Sequence, residues 1–191
     1  MLKIVNTAAA LLLGTAVLAP QAYAGGTADL SLSNDTFRLA FDATRVGSGV
    51  HINAAWLHDE DKGEMGTVGF HVVEVKPRNR NLYIGIGGNA NFVHIHGIEK
   101  DTGAIAVGGF FRYALPTVPD VSLAGYAYYA PKVLSFADTE NMVNTDFRVQ
   151  YSLIPSARAF VGYRYAGYRL EDNNKRYKIG DGLHIGLSLD F

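Results

Sequence analysis

From Leu183 to Phe191 apolar and polar positions alternate without interruption. Leu183, Ile185, Leu187, Leu189 and Phe191 share one face, and His184, Gly186, Ser188 and Asp190 share the other. A helix would spread this pattern around its circumference, whereas a strand sorts it onto two faces. The pattern recurs along the chain. Its apolar members are Ala28, Leu30 and Leu32; Phe37, Leu39 and Phe41; Val50, Ile52, Ala54 and Trp56; Val68, Phe70 and Val72; and Leu82, Ile84 and Ile86. They continue as Ile105, Val107, Phe111 and Tyr113; Val121, Leu123, Ala127 and Tyr129; Val143 to Leu153; and Ala159, Val161, Tyr163 and Tyr165. With the terminal run these give about ten predicted strands, each closed by turn residues.

The connections differ in length. Residues 76–81, 116–120 and 154–157 read as short turns, and 94–103, 131–141 and 171–181 as longer polar loops. Short turns on one side and longer loops on the other are the rule for transmembrane β-barrels, and the parity places both termini on the short-turn, periplasmic side. The first hairpin, residues 28–43, is terse, so eight strands behind an N-terminal extension is the alternative count. The acidic stretch 58–64 reads as a solvated loop.

Two closed folds fit short alternating strands, and the second face separates them. A soluble sandwich would expose Lys, Glu and Thr there. Here that face is mostly Gly, Ala and Ser, with scattered Arg, Asp, His and Tyr, which suits the crowded polar interior of a small barrel. The apolar face carries no Lys or Arg on the ten predicted strands. Slipping the register by one residue would drive Arg112, Arg148 and Arg164 into hydrocarbon at about 2–4 kcal/mol each. Trp56, Tyr113, Tyr129, Tyr151 and Tyr165 fall near strand ends, where an interfacial aromatic belt is expected. The fold expected is all-β: a closed antiparallel transmembrane β-barrel, with a soluble periplasmic β-domain as a third reading.

Composition changes the picture in two places. The N-terminus combines Lys3, an apolar run from Ala8 to Leu18, and Ala22-Tyr23-Ala24. This is the pattern of a secretory signal peptide cleaved after Ala24, and the apolar run is too short to span a bilayer. Residues 1–24 are thus expected to be the signal peptide and 25–191 the barrel. The chain contains no Cys and has a formal net charge of -1. Disulfides and thiolate metal sites are excluded, and nucleic acid is an unexpected partner.

The terminal Phe191, preceded by Leu187 and Leu189, resembles the C-terminal strand that the barrel-assembly machinery of the outer membrane reads. Tyr128-Tyr129-Ala130-Pro131, Leu134-Ser135-Phe136, Gly162-Tyr163-Arg164-Tyr165 and the Phe191 ending together resemble the YfaZ family of outer-membrane proteins. The resemblance covers the chain after the signal peptide and implies a small outer-membrane barrel. It carries no catalytic residue across.

The ionisable side chains expected on the inner face are Asp29, Arg38, Asp42, His51, His71, Arg112, Asp146, Arg148, Arg164, His184 and Asp190. Charges in a narrow lumen must pair or reach water. Paired, they form a plug of salt bridges; unpaired, they form a charged constriction that favours anions, so structural barrel and narrow passive pore stay open together. His94 and His96 share a strand face without a third metal ligand, and Asp59, Glu60, Asp61 and Glu64 lack the spacing of a calcium loop. Gly85-Ile86-Gly87-Gly88 is followed by no helix pattern and is not a phosphate loop. An outer-membrane lipid or peptide hydrolase is the alternative function. His51, His58, Ser135 and Asp138 would have to converge, but no G-x-S-x-G motif supports them. The expectation is a monomeric bacterial outer-membrane barrel with no cofactor, metal or catalytic site. Its expected partners are outer-membrane lipid, lipopolysaccharide and the assembly machinery.

Overall fold

The structure, a computed structural model, describes residues 24–45, 49–74, 81–96, 100–170 and 175–191. The signal-peptide residues 1–23 lie outside the described residues, as do most of the 76–81 turn, Gly47-Ser48 and residues 171–174. Among the described residues no helix is long and apolar enough to cross a membrane.

The strands are β1 (Ala24–Leu32), β2 (Thr36–Arg45), β3 (Val50–Asp59), β4 (Gly63–Val73), β5 (Leu82–Ile95), β6 (Lys100–Ala114) and β7 (Val121–Ala130). After them come β8 (Ser135–Phe136), β9 (Thr139–Ile154), β10 (Ala157–Leu170), β11 (Arg176–Lys178) and β12 (Gly182–Asp190). Ten of them pair antiparallel in succession, β8 and β11 being short additions on β6 and β10. The sheet closes where β12 meets β1, with Thr27 opposite Asp190 and Leu32 opposite Ile185. Gly26 and Phe191 exchange backbone hydrogen bonds at 2.8 and 3.0 Å across that seam. The strand count is therefore ten, and the first hairpin belongs to the barrel because β1 pairs on both sides. Closure leaves no free edge, as a membrane-spanning sheet requires.

Every strand keeps the register expected from its pattern. Ile52, Val68, Ile86, Val107, Val149, Ile185 and Leu187 point outward and are exposed, and no inward arginine or aspartate of the predicted set is displaced. Leu187, Leu189 and Phe191 lie on the same outer face. Tyr113 and Tyr151 face outward toward the end that holds both termini, here called the terminal end. Trp56, Tyr129 and Tyr165 face outward nearer the opposite, loop end.

Three expectations are corrected. Most of the connection 94–103 is strand: β5 runs to Ile95 and β6 begins at Lys100, continuing the sheet beyond the apolar band. The acidic stretch 58–64 is a solvated turn only at Glu60, Asp61 and Lys62, the residues on either side being strand. Asp59 is fully buried at the end of β3 and accepts the backbone N–H of Lys62 at 3.1 Å and of Gly180 at 2.9 Å. Nor is the connection after β10 wholly loop, since β11 pairs with the upper part of β10. Chain direction is restored by Gly180 and Gly182, whose φ values of 66° and 150° suit glycine.

Candidate functional site

Inward side chains divide the lumen into two halves of opposite chemistry. In the half nearer the terminal end, β1, β9, β10 and β12 bring charges together. Arg148 Nη1 donates to Asp29 Oδ2 at 2.8 Å, and Ser188 Oγ donates to Asp29 Oδ1 at 2.5 Å. Arg158 holds Asp190 through both terminal nitrogens, Nη2 lying 2.7 Å from Oδ1, and Thr27 Oγ1 donates to the same oxygen at 2.8 Å. Deeper in, Asp146 Oδ2 lies 2.8 Å from His184 Nε2 and 3.6 Å from Arg164 Nε. Arg164 Nη2 also donates to Ser31 Oγ at 2.7 Å. These three side chains are almost wholly buried, at 2–3% exposure, so the Arg164 and Asp146 charges depend on their neighbours for solvation.

On the opposite wall, β2, β3 and β5 build a chain of hydrogen bonds. Asp42 Oδ1 lies 2.5 Å from His51 Nδ1, and the Tyr83 hydroxyl lies 2.8 Å from His51 Nε2. A carboxylate on Nδ1 fixes the tautomer, so Nε2 accepts from the phenol. Next to it, the His71 Nε2 and Tyr128 hydroxyl are hydrogen-bonded. Gly108 makes room for this pair, because a Cβ there would stand 2.0 Å from Ala127 O and 2.7 Å from the Tyr128 ring. Between the walls lies a cavity of about 470 Å³ that reaches the terminal end, where Gly25, Gly26, Thr44 and Phe191 line it. Arg38 and Arg112 also line it. Arg38 stands 5.9 Å from the Tyr126 ring centre and Arg112 5.6 Å from that of Tyr83.

The half nearer the loop end is more apolar. Leu57, Met65, Val93, Ile95, Met142, Tyr168, Leu170 and Ile179 point inward there and pack into one cluster with inward alanines. Tyr168 is fully buried and its hydroxyl lies 3.0 Å from Met65 Sδ. Ile179 enters from above, tied by its N–H to Ala166 O at 2.9 Å, and Gly180 stands so close to Leu57 that a Cβ would come within 2.6 Å of Cδ1. Outside, Lys178 Nζ and the Tyr163 hydroxyl bind Asp181 at 2.9 and 2.8 Å. Partial burial alone would raise the Asp181 carboxyl, but these hydrogen bonds outweigh it and hold the group below the ordinary aspartate range. The expectation of a polar, partly plugged lumen is thus refined: its outer half holds a hydrophobic cluster, with Thr67 bonded to Asn91 and Thr102 to Thr139 buried beside it.

The residues suggested for a hydrolase do not converge. His51 points inward, whereas His58, seven positions along the same strand, points outward to Glu64 at 3.3 Å. Ser135 Oγ donates to Pro131 O at 3.0 Å and Asp138 lies 3.3 Å from Lys100 Nζ. His94 and His96 face outward with ring centres 5.5 Å apart, and His94 Nδ1 meets Asp101 at 2.8 Å. No group of three potential metal ligands occurs among the described residues.

Sequence reasoning missed Arg158 as an interior group and Asp59 as a buried one; it placed Tyr83, Tyr126 and Tyr128 on the inner face but gave them no hydrogen-bonding part. For Arg158 a signal exists: it has the same parity as Gly162 and Arg164, but stands beside the Pro155-Ser156 turn, ahead of the alternating run that begins at Ala159.

The family model described as "YfaZ precursor" matches residues 1–191. The outer membrane protein YfaZ of Escherichia coli (strain K12) is 25% identical over 150 residues, covering 75% of this chain and 76% of that protein. Among solved structures, the outer membrane protease OmpT from Escherichia coli superposes with a TM-score of 0.49 at 11% identity, covering 88% of this chain and 93% of that one. The outer membrane channel DcaP of Acinetobacter baumannii gives 0.41 at 13% identity, covering 85% of this chain but only 54% of the channel's, so this chain spans about half that channel's length. A whole-length family match on a closed ten-stranded barrel places this chain in the YfaZ family of outer-membrane proteins.

Proposed function

We propose that this protein is a sealed structural barrel of the bacterial outer membrane, a plug more than a passive pore. The observation that carries the reading is the hydrophobic cluster across the outer half of the lumen, closed from above by Ile179 and Gly180. A constriction that conducts ions needs water or polar ligands along its whole length. Here the charged half ends against Tyr168, Met142 and Leu57, all fully buried. The ion pairs below serve to hold the barrel's shape.

The outward residues fit the partners such a barrel needs. Leu187, Leu189 and Phe191 are exposed on the closing strand, as an assembly signal read by the barrel-assembly machinery must be. The apolar outer face is suited to outer-membrane lipid, and Trp56, Tyr113, Tyr129, Tyr151 and Tyr165 to the interfaces where lipid and lipopolysaccharide headgroups lie. With no edge strand to pair, the described barrel has no strand-pairing route to a dimer, in keeping with a monomer. The dispersal of His51, His58, Ser135 and Asp138 gives the hydrolase alternative no support.

Planar-bilayer recording tests the reading. Purified folded protein is expected to add no discrete conductance steps at either polarity. Steps of reproducible size from the unaltered protein would overturn the sealed barrel and restore the narrow pore.

A further inference from the structure

We infer that the terminal-end cavity is a binding site for a small organic oxyanion, a carboxylate or phosphate ester, held by Arg38 and Arg112. The first ground is a charge imbalance within the cavity wall. Asp29 is engaged by Arg148 and Ser188, Asp190 by Arg158 and Thr27, and Asp42 by His51. Each lining carboxylate therefore has its partner. Two guanidinium groups are left, and among the described residues neither Arg38 nor Arg112 has a side-chain ion pair or hydrogen bond. The wall sets four guanidinium groups, Arg38, Arg112, Arg148 and Arg158, against three carboxylates, Asp29, Asp42 and Asp190, so the cavity carries an excess positive charge that calls for a counter-charge.

Their geometry indicates what that counter-charge is. Each guanidinium lies near a tyrosine ring, Arg38 at 5.9 Å from that of Tyr126 and Arg112 at 5.6 Å from that of Tyr83. Such contacts steady the cation through its face and leave its in-plane N–H groups unused. Those groups form the fork that matches a carboxylate or a phosphate with two parallel hydrogen bonds. The space is of ligand size, about 470 Å³, within the usual range of ~300–1,000 Å³ for small-molecule sites. Phe110 and the two tyrosines add apolar wall for the carbon skeleton. Entry is from the terminal end, because the hydrophobic cluster blocks the other route. The inference goes beyond the sealed-barrel reading and does not need it, since a leaking barrel would still bind.

Isothermal titration of the folded barrel in detergent at low ionic strength tests it, with citrate, glucose 6-phosphate and uncharged glucose as probes. Saturable 1:1 heat with at least one anion and none with glucose is expected. Citrate alone would assign a carboxylate ligand and glucose 6-phosphate alone a phosphate ester. Arg38→Gln and Arg112→Gln should each weaken binding about tenfold or more, as loss of a charge-assisted pair does. Heat-dependent gel mobility confirms that each variant is folded. Where a glutamine variant fails to fold, Arg38→Lys or Arg112→Lys keeps the charge, loses the fork and should still weaken binding. No saturable heat with either anion, or binding unchanged in the folded variants, would overturn the site.

Discussion

Replacing Asp146 by alanine is expected to cost the folded barrel about 3–5 kcal/mol, the range for removing one partner of a buried ionic group. The carboxylate serves two buried groups at once, with Arg164 Nε at 3.6 Å and His184 Nε2 at 2.8 Å. Without it Arg164 retains Ser31 Oγ at 2.7 Å, a neutral acceptor that cannot balance its charge. The Asp29 carboxylate cannot compensate, because Arg148 and Ser188 already engage it. The half-exposed pair of Arg169 and Glu140, 3.9 Å apart, is the control. Glu140→Ala should change stability by less than about 1 kcal/mol, as exposed ion pairs do. Reversible urea unfolding in lipid vesicles measures both. An Asp146→Ala loss no larger than the Glu140→Ala loss would show that the mid-lumen charges are solvated by water.

A second large effect is expected where the lumen changes chemistry. Tyr168→Ala combined with Met142→Ala removes two fully buried side chains from the hydrophobic cluster. The Tyr168 truncation alone should cost about 3–5 kcal/mol, as truncating large core aromatics does. The variant should also gain a property the parent lacks. With the ring and the thioether gone, the polar cavity below gains a path past Ala166 and Ala130 toward the loop end. Planar-bilayer recording of the folded double variant should show discrete steps where the parent is silent. Continued silence would mean that the seal lies elsewhere, at the Ile179–Gly180 crossing above.

The barrel was legible because the membrane enforces a period of two so strictly. A slip of one residue would bury Arg112, Arg148 and Arg164 in lipid, so strand number, register and the inward set could be read from alternation alone. The hydrophobic seal was not legible for the same reason. Alternation reports which side a residue takes, not that both sides are apolar. Where the outer face ends and the strands continue beyond the bilayer, inward Val93, Ile95, Met142 and Leu170 are flanked by outward polar residues such as His94, Asp101 and Asn141. That reversal of the pattern looks like a polar loop. Adjacent apolar pairs, Trp56-Leu57 and Phe92-Val93, were the available clue. Asp59 misled differently: in sequence it heads an acidic run, but in space it caps three backbone amides, those of Asp61, Lys62 and Gly180. Nor could alternation pair the charges, because Asp29 reaches Arg148 across 119 positions of sequence.

Because the chain has no cysteine, single cysteines can map its surfaces directly. The decisive measurement is the reactivity of Val149→Cys, Leu187→Cys, Tyr126→Cys and Met142→Cys in vesicles toward a lipid-soluble maleimide and a charged, water-soluble thiosulfonate. Val149 and Leu187 should react from the lipid only, Tyr126 with the charged reagent entering at the terminal end, and Met142 with neither. Charged reagent reaching Met142, or modifying Val149 and Leu187 while sparing Tyr126, would contradict a lipid-clad barrel closed across its outer half.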